Sequence, residues 1–251
     1  MQSRTCLVTG AGRGIGRAVA LRLSGAGHRV ALTARDERAL NAVAAELPGA
    51  ALVVPADITE PGSVDRVVDR IEQHWGPVEV LVANAGAGSS APLARTGDED
   101  WQRMLDLNLT APFRCLRRTL PAMTANGWGR VVVVASTAAR VGEPYIAAYT
   151  ASKHGVLGLV RAAASEVVRK GVTVNAVCPG YVDTPMTEAT IATICAHTGR
   201  DPDSVRKTLA DKQPLGRLID PDEVAVAVLS FVDNPAITGQ ALNIDGGGVQ
   251  S

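Results

Sequence analysis

Tyr149 and Lys153 stand four residues apart in Tyr149-Thr150-Ala151-Ser152-Lys153, and on a helix that spacing puts both side chains on one face. Apolar residues recur through Gly155-Val156-Leu157-Gly158-Leu159-Val160, and Ala162-Ala163-Ala164 follows, so a long buried helix is expected. A phenol ordinarily has a pKa of about 10. An ammonium one turn away favours the phenolate and is expected to pull that pKa down, giving a usable proton donor and acceptor. Tyr-x-x-x-Lys pairs are also common on surfaces, so the assignment depends on the elements that surround this one.

Those elements alternate. Cys6-Leu7-Val8 reads as a short strand, Thr9-Gly10-Ala11-Gly12-Arg13-Gly14-Ile15-Gly16 as a glycine-rich turn, and Ala18 to Leu23 as a helix. Strand, turn and helix in that order open a dinucleotide-binding unit: the glycines let backbone approach a pyrophosphate and leave the helix N-terminus free to bind it. The spacing is GxxxGxG, at Gly10, Gly14 and Gly16, rather than GxGxxG. The second strand, Val30 to Thr33, ends at Ala34-Arg35-Asp36. A carboxylate at such a strand end suits an unphosphorylated ribose, and an arginine suits a 2′-phosphate. Arg35 therefore points to NADP(H) in preference to NAD(H), and Asp36 is expected to cap a helix beginning at Glu37.

The third strand, Ala51 to Val54, leads to Asp57-Ile58, after which Thr59 and Pro61 are expected to start a helix as cap and first-turn proline. A fourth strand, Val78 to Val82, runs into Asn84-Ala85-Gly86. The fifth, Gly129 to Ala135, carries four consecutive valines, the pattern of a strand covered on both faces, and ends at Ser136. Val172 to Val177 leads to Cys178-Pro179-Gly180, and Ala241 to Ile244 is the seventh. The expectation is an α/β fold: one doubly wound, Rossmann-type parallel sheet of about seven strands, helices on both faces, in a single domain over residues 1–251. The stretch 181–216 breaks the rhythm with two weak helical patches after a strand's carboxyl end, where a substrate-binding insertion is well placed.

Composition narrows the class. Lysine plus arginine equals aspartate plus glutamate at 25 each, which offers no net field to draw nucleic acid or anionic lipid. Cys6, Cys115, Cys178 and Cys195 lack zinc-ligand or CxxC spacing, as thiols of a reducing cytoplasm would. His28, His74 and His197 suggest no ligand set, and His154, adjacent to Lys153, faces another way on a helix. No metal is needed. No apolar run approaches the ~20 residues of a membrane span, so a cytoplasmic enzyme is expected.

Taken together, the TGxxxGIG loop from Thr9 to Gly16, Asn84-Ala85-Gly86, Asn108 within Asp106-Leu107-Asn108-Leu109, Ser136, Tyr149-x-x-x-Lys153, Val174 to Gly180 and Asp245-Gly246-Gly247 resemble the short-chain dehydrogenases/reductases over essentially the whole chain. Ala83 departs from the family, which usually has asparagine there. The resemblance implies hydride exchange between a nicotinamide cofactor and a carbonyl carbon. Tyr149 would act as acid/base, Ser136 would hold the oxygen, Lys153 would bind the nicotinamide ribose and lower the tyrosine pKa, and Asn108 would hold a water linking Lys153 to bulk. Read structurally instead, Ser136 is a strand-end cap and Asn108 a helix-kinking polar residue. The cofactor would lie along Gly10, Gly12, Arg13, Gly14, Ile15, Gly16, Arg35, Asp57, Ile58, Asn84, Ala85, Gly86, Tyr149, Lys153, Pro179, Gly180, Val182 and Thr184.

Gly180 to Met186 and Pro214-Leu215-Gly216-Arg217 look like the branch reducing 3-oxoacyl thioesters on a carrier protein or coenzyme A. Relatives with similar stretches act on cyclic ketones, aromatic polyketides and sugars. A non-catalytic dinucleotide-binding regulator would have lost the tyrosine or lysine, and a nucleotide-sugar epimerase or dehydratase usually has a longer C-terminal region. The family also pairs through two long helices. Here Ala111 to Met123 and Tyr149 to Val168 are rich in Ala, Leu and Val, so a homotetramer or homodimer is expected.

Overall fold

A computed structural model describes residues 2–250. Its seven strands are β1 (Thr5–Thr9), β2 (Arg29–Thr33), β3 (Ala51–Val53), β4 (Val80–Ala83), β5 (Gly129–Val134), β6 (Val172–Pro179) and β7 (Ala241–Ile244), forming one parallel sheet in the order β3-β2-β1-β4-β5-β6-β7. The order reverses between β1 and β4, which pair with Leu7 opposite Leu81. A crevice for a ligand opens outside the carboxyl ends of the strands at that switch point.

Because side chains alternate along a strand, each strand feeds two cores. Leu7, Leu81, Val131 and Val174 face one side, where α3 (Ser63–Trp75), α5 (Ala111–Ala125) and α6 (Ala147–Val167) contribute Val68, Ile71, Cys115, Val156 and Val160. Cys6, Val8, Val80, Val82 and Val132 face the other, against Val19 and Leu23 of α1 (Gly14–Gly25), Leu40 of α2 (Glu37–Glu46) and Val228 of α9 (Pro221–Asp233). The valine run of β5 is covered on both faces, as its composition requires.

Local chemistry sets most of the helix starts. Asp36 accepts from the Ala39 amide at 3.1 Å and caps α2. Asp220 and Glu223 close a reciprocal capping box on α9. The start of α3 corrects the expectation from Thr59 and Pro61. Asp57 takes both the amide and hydroxyl of Thr59, at 2.9 and 2.6 Å, which turns the chain before it can enter a helix. The helix begins only at Ser63, after Gly62 at φ 72°.

The segment that breaks the alternation is two helices, α7 (Pro185–Thr198) and α8 (Pro202–Asp211). Its neck is closed by a parallel bridge between Val182 and Ile219 and by backbone bonds from Ile219 N to Tyr181 O and from Asp183 N to Ile219 O. Inside, Ile191, Val205 and Leu209 make a small core of their own. No helix is long and apolar enough to cross a membrane among the described residues.

Candidate active site

The cofactor end is built from backbone packed on backbone. Gly10 has φ 65°, and a Cβ there would lie 2.9 Å from the Ala85 Cα. A Cβ on Gly16 would lie 2.3 Å from the Gly10 carbonyl oxygen, inside van der Waals contact, so α1 meets the turn that closely only with glycine. Thr9 fixes the neighbouring loop: its hydroxyl accepts from the amides of Asn84 and Ala85, both at 3.0 Å. The Asn84 side chain returns donors to the carbonyls of Thr9 and Gly10, at 2.8 and 3.2 Å. The NAG segment is thus a clamp on the glycine loop, and Ala83, where the family usually has asparagine, is simply a buried residue of β4.

Around this clamp opens a cleft of about 980 Å³ lined by Gly10, Gly12, Arg13, Gly14, Ile15, Arg35, Asp57, Ile58, Asn84, Ala85, Gly86, Ser136, Tyr149, Lys153, Pro179, Gly180, Val182 and Thr184. Gly16 lies behind it, buried as packing. Asn108, which is also outside the lining, supports it from below. Asp106–Thr110 is a π-helical turn between α4 (Asp98–Leu105) and α5, with the Asn108 side chain buried at its centre. Asn108 accepts from the Ala87 amide at 3.1 Å and donates to the Ala87 carbonyl at 2.9 Å. The Asn108 side chain thus sits within the π-helical turn and fixes the loop after Gly86. A Cβ on Gly86 would lie 2.9 Å from Asn108 Oδ1 and 3.5 Å from Lys153 Nζ, which brings these three residues together.

At the chemical end, α6 carries Tyr149 and Lys153, with the Lys153 ammonium 5.6 Å from the Tyr149 ring centre. Lys153 donates to the Val134 carbonyl at 3.0 Å, across to the end of β5. Ser136 caps the next turn by accepting from the Ala138 amide at 3.1 Å, which leaves its hydroxyl proton free to donate. Burial pushes the Tyr149 phenol above its usual pKa, opposed by the Ser136 hydroxyl. Lys153, expected to favour the phenolate against that burial, stands with its ammonium one helical turn from the phenol. Its own ammonium is pushed down to about 8 by burial. Holding that ammonium charged costs stability at every pH below about 8, a cost relieved as pH rises towards the ordinary lysine value of 10.5, where the unfolded chain loses its proton. His154 is spent on its own helix, with Nδ1 3.0 Å from the Thr150 carbonyl oxygen.

Sequence reading missed Gln213, buried at the neck of α7–α8. Its Oε1 accepts from the Tyr181 amide at 3.0 Å, and its Nε2 donates to the carbonyls of Tyr181 and Arg217 at 3.1 and 2.6 Å. It also missed Glu99, Gln102, Arg103 and Asp106, which line the cleft from α4 and the turn after it. Four polar residues at helical spacing carry no sequence signal that separates a cleft wall from a solvated face.

The glycine loop and the open N-terminus of α1 fit a dinucleotide pyrophosphate. Side chains at Gly12 or Gly14 would narrow that space, and each already lies 3.1 Å from a neighbour, Ala39 or Thr184, at its Cβ position. A model of the short chain dehydrogenase family matches residues 4–194. The putative ketoacyl reductase 1 of the granaticin polyketide synthase from Streptomyces violaceoruber is 39% identical over 248 residues, covering 96% of this chain and 91% of that protein. The 3-oxoacyl-acyl-carrier-protein reductase MabA of Mycobacterium tuberculosis is 38% identical, covering 98% and 92%. Among solved structures, a variant of the actinorhodin polyketide ketoreductase with NADPH superposes at a TM-score of 0.95, with 37% identity and coverage of 98% and 97%.

Proposed function

The chain belongs to the short chain dehydrogenase family and is an NAD(P)-dependent ketone reductase; from that premise we propose that it reduces the 3-oxo group of a thioester-linked acyl chain, with NADPH as the preferred donor. When bound, the nicotinamide supplies the hydride. Tyr149 donates its phenolic proton to the ketone oxygen, and burial that disfavours the phenolate keeps that proton in place at neutral pH. Ser136 holds the same oxygen with its free hydroxyl proton. Lys153, anchored on Val134, supplies positive charge beside the phenolate left behind and would hold the cofactor ribose. Asn108 fixes the Gly86–Ala87 loop, part of the cleft wall that would hold the cofactor. Residues 181–216 form the substrate-binding insertion, and α5 and α6 are the faces through which a homodimer or homotetramer assembles. A cyclic or polyketide ketone is the second reading, and two of the relatives, both polyketide ketoreductases by name, support it.

The observation that carries the thioester reading is the charge of the cleft. Apart from Arg13, Arg35 and Lys153 on the cofactor side, the cation in its lining is Arg103, which is paired with Asp100. A free 3-oxo acid would have to compete with Asp100 for that cation, whereas a thioester carries no charge at that end. Turnover is followed at the nicotinamide absorbance with an acetoacetyl thioester, free acetoacetate and a cyclic ketone. The thioester is expected to be reduced fastest. An inert thioester beside a well-used cyclic ketone would replace the first reading with the second.

A further inference from the structure

The chain between Ser136 and Tyr149 carries a catalytic residue at each end, yet after the short turn Thr137–Ala139 it has no regular structure until Ala147. Tyr145 within it has φ 70°, a left-handed conformation that costs a non-glycine residue energy and persists only where the surroundings hold it. Two tethers end on backbone carbonyls: the Tyr145 carbonyl accepts from the Ala91 amide at 2.7 Å, and the Arg140 guanidinium donates to the Ala241 carbonyl. The third tether is made of side chains. Glu143 accepts from the Tyr181 hydroxyl at 3.2 Å and pairs with Lys212 Nζ at 3.0 Å, and Lys212 lies 3.2 Å from the same hydroxyl.

These three residues come from three places. Glu143 is in the catalytic loop, Tyr181 directly follows Gly180 at the end of β6, and Lys212 ends α8 beside Gln213. The Tyr181 ring packs on the small core of the α7–α8 insertion while its hydroxyl points at Glu143. Burial and the adjacent carboxylate both hold the Tyr181 phenol protonated. It lies near enough to Tyr149 to act on that phenol electrostatically. The catalytic loop is therefore tied to the substrate insertion as well as to Ala91 and Ala241.

We propose that Lys212 is a positioning residue: with Glu143 and Tyr181 it latches the catalytic loop to the neck of the insertion and so sets the distance between Tyr149 and a bound ketone. The latch rests on the ketoreductase reading for its consequence, not for its existence. Its ion pair is half open to solvent, with side-chain exposures of 47% for Lys212 and 33% for Glu143. Such pairs are weak, so loss of the latch should loosen the loop without unfolding the protein.

The test compares Lys212→Met, Glu143→Gln and the exchanged pair Glu143→Lys with Lys212→Glu against the wild-type protein. Four quantities are measured: kcat and KM for whichever ketone the wild-type enzyme reduces, the NADPH dissociation constant, and amide hydrogen exchange over residues 140–147. Each single variant should lower kcat/KM by about fivefold and speed exchange in that segment, with cofactor binding unchanged. The exchanged pair should recover most of both losses, which a residue needed only for folding would not do. Unchanged kcat/KM and exchange in the single variants would overturn the proposal, as would an exchanged pair no better than either single. A wild-type protein inactive on every ketone would sink the ketoreductase reading instead, and hydrogen exchange would still decide the latch.

Discussion

At the cofactor end of the cleft, a Cβ on Gly16 would sit 2.3 Å from the Gly10 carbonyl, and the Thr9 hydroxyl holds two successive amides of the facing loop. At the substrate end, the α7–α8 insertion stands on a core of Ile191, Val205 and Leu209, closed by backbone bonds at its neck and by exposed pairs such as Arg206 with Asp183 and Glu188. One end is backbone packed so closely on backbone that a side chain at Gly16 has no room. The other rests on a small core, a few backbone bonds and exposed ion pairs worth about 0–1 kcal/mol each. A cofactor common to a whole family needs the first kind of construction, while a pocket that differs between relatives suits the second.

The largest effect should come from the boundary between the two ends. Tyr149→Phe keeps the ring and removes the proton donor, so turnover should fall by about 10²–10⁴-fold with the NADPH dissociation constant unchanged. More than a tenth of wild-type activity would show that the proton comes from elsewhere, and Tyr181 would be the next group to examine.

A pair of leucines sharpens the contrast in stability. Leu32 belongs to the sheet core and is fully buried, while Leu209 is buried in the insertion. Leu32→Ala should cost the whole protein about 2–5 kcal/mol in a urea melt. Leu209→Ala should open the insertion locally, shift the global midpoint much less, and speed hydrogen exchange mainly over residues 185–211. Equal global losses would mean that the insertion melts with the sheet, and the comparison would fail.

The same division decides what could be read from the sequence. The Asp36 cap and the Tyr149–Lys153 spacing are imposed by neighbours within a few residues, and the glycine loop and the valine run of β5 leave contiguous patterns in the sequence, so residue type and order carry them. Thr59 misled because Asp57, two residues back, captured its amide and hydroxyl, a competition that a cap-then-proline pattern does not reveal. Gln213 and the Glu143–Lys212 pair join residues 32 and 69 positions apart, and nothing local marks either partner. Asn108 was legible as a polar residue within a helix, but its bonds to Ala87, 21 residues away, were not.

The smallest expected effect lies at the far edge of the cofactor end, where close backbone packing gives way to one exposed side chain. Arg35 follows Ala34 at the end of β2, with its side chain 81% exposed and Nη1 3.9 Å from Asp57 Oδ2. Asp36, the carboxylate that could have served an NAD ribose, is engaged in capping α2 through Ala39. The contact with Asp57 does not compete seriously: a long, exposed pair is worth about 0–1 kcal/mol, against about 1.5–3 kcal/mol for a charge-assisted bond to a phosphate. Arg35 should therefore turn to a 2′-phosphate when one is present, with Arg13, which also lines the cleft, adding a second positive charge. A charge-assisted bond of that size corresponds to a preference for NADPH of roughly 10–150-fold in kcat/KM, largely lost in Arg35→Ala. A wild-type ratio favouring NADH would falsify the assignment. A ratio unchanged by the substitution would move the selectivity to Arg13 and leave Arg35 as a surface residue.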